Sequence, residues 1–197
     1  MHIMKKAPSK PAAVLLCALL ALSGCGTQAA GEASSSEITV TTVSAIDTAS
    51  LFSDRDLDPT YDESTAVSIQ LSGDSAVCNS DTVTIDGSQV IIGAEGVYLL
   101  SGTLTDGQIV VNAGENDKVQ LVLSGADITS STSAAIYALE ADKVFITLAE
   151  ETENTLANGG TYTAIDENNI DSVIFAKTDL TLNGSGSLTI NAAAGHG

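Results

Sequence analysis

The sequence predicts an all-β domain over residues 66–197, coiled as a parallel β-helix, and three observations lead there. From Val67 onward, short β-branched runs alternate with turns rich in Gly, Asn, Asp and Ser. No stretch of that region carries a sustained 3.6-residue apolar period. Several runs recur at an interval near 25 residues, the length of one turn in a stacked repeat.

The chain opens differently. Lys5, Lys6 and Lys10 give a positive start, and residues 12–22 form an apolar core of signal-peptide length. Roughly eleven residues are too few to span a bilayer as a mature helix. Leu22-Ser23-Gly24-Cys25 follows, and it resembles the bacterial lipobox, where small residues admit cleavage before a diacylglycerol-linked cysteine. A secretory signal with a chance cysteine is the plain alternative, but spacing, residue size and position agree with the lipobox. Residues 1–24 are therefore expected to leave as a signal peptide, with Cys25 as the membrane anchor. Acyl chains contribute about 0.8 kcal/mol per buried CH2, so two or more hold a protein firmly. The expected location is the extracellular face of the cell membrane.

Cleavage would remove three of the 7 bases and none of the 25 acids, taking the formal charge from −18 to about −21. Phosphate backbones demand clustered Lys and Arg, so nucleic-acid binding is excluded. With Cys17 lost and Cys25 acylated, Cys78 stands alone, and neither an intramolecular disulfide nor a paired-cysteine metal site is expected. Residues 26–36, GTQAAGEASSS, read as a flexible tether. Residues 54–63, DRDLDPTYDE, read as acidic linker or cap, which places lipidated cysteine and linker at 25–65.

Within the domain the strand candidates are VSIQL (67–71), TVTI (82–85), QVIIG (89–93), QIVV (108–111), VQLVL (119–123), VFITL (144–148), SVIF (172–175) and SLTI (187–190). Val119-x-Leu121-x-Leu123 recurs as Val144-x-Ile146-x-Leu148, each after Asp-Lys. Leu100-Ser-Gly recurs as Leu123-Ser-Gly and, loosely, as Leu182-Asn-Gly. Residues 135–138, AIYA, recur as residues 173–176, VIFA, across an interval lengthened by a polar loop at 157–171. An antiparallel β-sandwich is the alternative, but it favours hairpin turns, and Asn-Gly or Asp-Gly occurs only at Asp86, Asp106, Asn158 and Asn183.

These residues also resemble a known family. The segments are GVYLLSGTLTDGQIVV (96–111), KVQLVLSGADIT (118–129), AAIY (134–137), ENTL (153–156), DLTLNGSGSLTI (179–190) and His196-Gly197. They are similar, in order, to the carbohydrate-binding β-helix lipoproteins of plant-fibre-degrading Gram-positive anaerobes, which resemble pectate lyases in fold. The resemblance implies a right-handed parallel β-helix that binds cellulose and acidic pectic polysaccharide, with calcium in its coils. Where that family commonly shows a double acid before Leu, this chain has Lys177-Thr178-Asp179-Leu180. The family's coils continue beyond the position of His196-Gly197, so a C-terminally incomplete domain is expected.

Candidate chemistry is sparse. No Ser/His/Asp set is available, since the only histidine after the leader is His196. A lyase base would be Arg or Lys, but Lys118 and Lys143 sit at repeat-equivalent positions beside Asp117 and Asp142, which reads as a structural ladder. Residues 166–171 offer five oxygen-bearing side chains in six, and such hard ligands suit Ca2+. Asp166, Glu167 and Asp171 are therefore the candidate calcium ligands, with Asp179 and Asp127 behind them, although most acidic loops are merely solvated. For sugar stacking the candidates are Tyr162, in the polar loop, and Tyr137, the repeat equivalent of Phe175; inward packing is the plain reading of Tyr137, and a loop anchor that of Tyr162. The expected function is non-catalytic binding of plant cell-wall polysaccharide. A pectate-lyase-like enzyme and a purely structural surface stalk are the alternatives.

Overall fold

The computed structural model describes residues 51–163 and 166–197; Cys25, the leader and the tether lie outside them. A single helical turn, α1 (Asp54–Leu57), precedes β1 (Val67–Gly73), β2 (Ser75–Cys78), β3 (Val83–Asp86) and β4 (Gln89–Ile92). Next come β5 (Gly96–Leu104), β6 (Gln108–Asn112), β7 (Lys118–Ser130), β8 (Ile136–Glu140) and β9 (Lys143–Leu148). The chain continues through β10 (Glu153–Asn158), β11 (Ile174–Ala176), β12 (Asp179–Gly184) and β13 (Ser187–Asn191).

The strands make two mixed sheets, which do not close into a barrel among the described residues. The first runs β12-β9-β7-β5-β1-β2, with β10 joined to β7 and β13; the second runs β11-β8-β6-β4-β3. Antiparallel pairing is confined to β1–β2 and β3–β4, and every other strand pair is parallel. That pairing departs from an antiparallel sandwich. The physical reason is that sequence neighbours such as β5 and β6 lie in different sheets, so each strand meets the equivalent strand of an adjacent repeat.

The sequence repeats are the sheet register. Val119, Leu121 and Leu123 pair with Val144, Ile146 and Leu148, and Ile136-Tyr137-Ala138 pairs with Ile174-Phe175-Ala176. Alternate side chains point to the common core, giving ladders such as Ile69–Leu100–Leu123–Leu148 and Leu104–Ile128–Leu156–Ile190. The loose third match behaves otherwise: Leu182 pairs with Ile146, two positions from the Leu100–Leu123 ladder. At the last ladder positions the apolar row continues but is open to solvent, with Leu180, Leu182 and Ile190 at 40%, 52% and 37% exposure.

The Leu-Ser-Gly element marks the corner at which β5 and β7 bend. Gly102 has φ +90° and Gly125 φ +74°, a region that costs an L-residue about 1–2 kcal/mol. The two corners differ in space. A Cβ on Gly102 would meet the Leu71 carbonyl oxygen at 2.4 Å, whereas nothing lies within 4 Å of one on Gly125. Gly125→Ala should therefore lose about 1 kcal/mol and Gly102→Ala about 3 kcal/mol or more, because backbone must shift. Urea midpoints of the two variants check the difference; equal losses would refute it.

Candidate functional site

Two surfaces carry polar and aromatic side chains together. On the first sheet, the residues between the core-facing ones point outward, and residues 51–61 strap across them. Ser53 caps α1, and its N–H and hydroxyl donate to Asp56 Oδ2 at 2.9 and 2.7 Å. The other oxygen, Oδ1, accepts from Lys143 Nζ and from Thr181 Oγ1, both at 2.5 Å. These donors hold the Asp56 carboxyl far below the usual carboxylate range, with Lys143 the largest cause, then Thr181, then Ser53.

Arg55 adds a second attachment. Its guanidinium lies 4.6 Å from the centroid of the Phe145 ring, and Nη2 donates to Gln120 Oε1 at 2.8 Å. Beneath it, Gln120 Nε2 donates to Thr147 Oγ1 at 2.9 Å, and that hydroxyl donates to Asn183 Oδ1 at 2.7 Å. Gln120, Phe145 and Thr147 are all buried although they face away from the core. The lysine ladder expected from the repeat thus divides. Lys118 and Lys143 are register partners, but Lys118 pairs with Asp142 and Lys143 with Asp56.

Beside this strap lies a groove of about 660 Å3. Phe52, Leu57 and Tyr61 stand on the strap side, with Glu150, Leu182 and Asn183 opposite. Phe52 is 52% exposed and Leu57 65%, so the groove floor is apolar yet wet. Burial, then the nearby Glu63 carboxylate, push the Tyr61 hydroxyl's pKa upward. Nothing in the sequence singled out this site, because its walls come from two distant segments, residues 52–61 and 147–185.

The second surface is the outer face of the second sheet, where Ile91, Val110, Tyr137 and Phe175 form one in-register row. Tyr137 and Phe175 meet edge to face, 5.5 Å between centroids. Tyr137 is only 1% exposed, so its ring is unavailable for stacking on a sugar. It is not packed into the main core either. Tyr162 and residues 166–170 cover it from outside, with Ile170 and Tyr162 in the same apolar cluster. The Tyr137 hydroxyl donates to Asp166 Oδ2 at 2.5 Å and accepts from Asn168 Nδ2 at 2.7 Å. Burial first, and that carboxylate second, push its pKa up to about 12. Tyr162 is half-buried, and its hydroxyl donates to the Ala194 carbonyl and accepts from Asn158. It anchors the loop rather than standing exposed as a platform.

The candidate calcium ligands do not converge. Asp166 is engaged by Tyr137 and by the backbone N–H of Asn168; Glu167 is exposed, and Asp171 is half-buried. Asp179 opens β12 opposite Lys143, while Asp127 sits exposed on β7 between Thr103 and Thr155. Among the described residues no three His, Cys, Asp or Glu side chains gather closely enough to hold a metal ion. Cys78 is half-buried as a free thiol, and Cys25 lies outside the described residues.

With this geometry in hand, comparison with known proteins gives a consistent answer. Residues 86–197 match the family model described as carbohydrate-binding domain-containing protein. The chain belongs to that family. A member from Acetivibrio thermocellus is 38% identical over 121 residues, covering 60% of this chain and 42% of the relative's own length. The polysaccharide lyase-like protein from C. thermocellum, solved as a gadolinium derivative, is similar in structure with a TM-score of 0.62 and 36% identity. That match covers 65% of this chain and 53% of the other. The chain therefore spans about half the length of the relatives it matches, and α1 and the strap lie outside the family match.

Proposed function

We propose that this chain is a lipid-anchored surface module, wound as a right-handed parallel β-helix, that holds plant-wall polysaccharide without cleaving it. The family match over residues 86–197 carries this reading. Parallel ladders repeated across both sheets support the coil, and crossovers between parallel strands are right-handed in about 98% of cases. The lyase-like name of the solved relative favours elimination chemistry as the second reading. Against it, Arg55, Lys118 and Lys143 are each committed to protein partners, which leaves them poorly placed to take a proton from a uronate.

Calcium enters the proposal as a shared ion. The acidic side chains present do not form a ready-made cage, so Ca2+ would have to complete its shell with uronate oxygens, backbone carbonyls or water. Gadolinium in the solved relative is another hard, oxygen-seeking cation. An overall charge of −18 disfavours direct contact with polygalacturonate and gives such a bridge its purpose.

A pull-down on insoluble cellulose and on polygalacturonate, with an ultraviolet assay for unsaturated uronate, tests the reading. Glycan retention without absorbance is expected, and chelator should abolish pectate retention while Mg2+ restores it poorly. Rising absorbance would instead establish the lyase. For the anchor, Cys25→Ala should move the protein from the membrane fraction to the medium.

A further inference from the structure

The groove beside the strap is open, has an apolar floor and, among its described lining residues, holds no lysine or arginine. Its aromatic side chains are Phe52 and Tyr61, and its polar groups come from the facing wall, including Asn183 and Glu150. Asn183 and Thr181 are already spent on the strap, since Asn183 Nδ2 donates to the Asp56 carbonyl at 3.2 Å. Asp56 is itself neutralised by Lys143. What remains facing an incoming ligand is apolar surface, the hydroxyls of Thr60, Tyr61 and Ser185, and one carboxylate, Glu150.

That combination selects against anions. A polyuronate carries a negative charge on every sugar and would meet Glu150 with no cation to offset it. A neutral hexose chain has what the groove lacks. Its C–H faces lie flat on aromatic and aliphatic side chains, and its hydroxyls donate to a carboxylate. We infer that the groove between residues 52–61 and β12 is a binding site for a neutral, glucan-type polysaccharide, with Tyr61 as stacking platform and Glu150 as acceptor. This rests on the polysaccharide-binding reading above and adds where on the molecule a neutral chain would sit. One wall is formed by residues outside the 86–197 family match, so the site is a property of this chain's own strap.

The test uses the full chain with microcrystalline cellulose and polygalacturonate as probes. Tyr61→Ala should weaken retention on cellulose about tenfold, and Tyr61→Phe should leave it nearly unchanged, because the ring does the stacking. Glu150→Ala, from the opposite wall, removes the acceptor and should weaken cellulose retention without touching the hydrogen bonds that hold the strap. Pectate retention should be the same in all three variants. In the parent chain, cellohexaose should shift the ring resonances of Tyr61. Wild-type cellulose retention in both Tyr61→Ala and Glu150→Ala, or no shift with cellohexaose, overturns the groove site and leaves the wider reading standing. Retention of the parent chain on pectate alone does the same, whereas retention on neither glycan overturns both.

Discussion

Asn154→Leu should lower the unfolding free energy by about 2–4 kcal/mol, a large effect for a substitution of nearly equal volume. Asn154 is buried at the start of β10. Its Oδ1 accepts from the N–H groups of Gly125 and Ala126, at 3.0 and 2.9 Å, at the corner of β7. Its Nδ2 donates to the Ser187 carbonyl, at 3.1 Å, at the start of β13. One amide therefore ties three adjacent strands together at a corner, where the bend interrupts the regular ladder. Leucine fills the space and pairs none of these groups, and each buried orphan costs about 1–3 kcal/mol. Urea unfolding should show a lower midpoint at unchanged slope. Amide exchange at Gly125 and Ala126 should speed up more than elsewhere. A loss under 1 kcal/mol would mean that water enters the corner and replaces the side chain.

Asn154 also shows which parts of the molecule were legible in the sequence. Register was, because stacked repeats put equivalent residues side by side: Val119-x-Leu121-x-Leu123 above Val144-x-Ile146-x-Leu148 is both a sequence match and a strand pair. Corners were half legible. Leu-Ser-Gly repeats because a positive φ is needed there, yet the asparagine that satisfies the Gly125 corner comes from 29 residues further on. A two-fold alternation places Tyr137 away from Ile136 and Ala138, but no local pattern says that Tyr162 and residues 166–170 fold over that face. Hence Tyr137 and Tyr162, sound candidates by residue type, turn out to be loop fastenings, the first buried and the second half-buried.

The strap was the least legible part, for a physical reason. Residues 54–63 are acidic, short of apolar period and broken by Pro59, which are the marks of a solvated linker. What orders them is supplied by Lys143, Gln120 and Thr181 in distant strands. Lys143 appeared bound to its repeat neighbours because Asp117 and Asp142 flank the repeated lysines. Once β9 places its Nζ over the outer face, 5.5 Å from the Phe145 ring, Asp56 is the carboxylate it meets.

That pairing gives the second large effect, and acid should reveal it. The Asp56 carboxyl is depressed in the folded state relative to an unperturbed value near 3.9. Its contribution is therefore complete above about pH 4 and fades as pH falls further, toward the folded-state value. Lys143→Met should be more damaging than Asp56→Asn, because it leaves a buried carboxylate without its cation, whereas the amide keeps the shape and carries no charge. A fall in melting temperature on the order of 5 °C or more is expected for Lys143→Met at pH 7, and less for Asp56→Asn. Combined, the two changes should cost less than their sum, since the second finds the pair already broken. Amide exchange at residues 53–58 should rise in Lys143→Met before the strands respond, because the strap is held only from one side. The acid-induced loss between pH 4 and pH 2 should shrink in Asp56→Asn. If the two single variants instead melt together with wild type, and residues 53–58 exchange no faster, the strap is held by Arg55 on Phe145 and Gln120 and by Asn183 on the Asp56 carbonyl. The ion pair would then be a surface ornament of the outer face rather than its fastening.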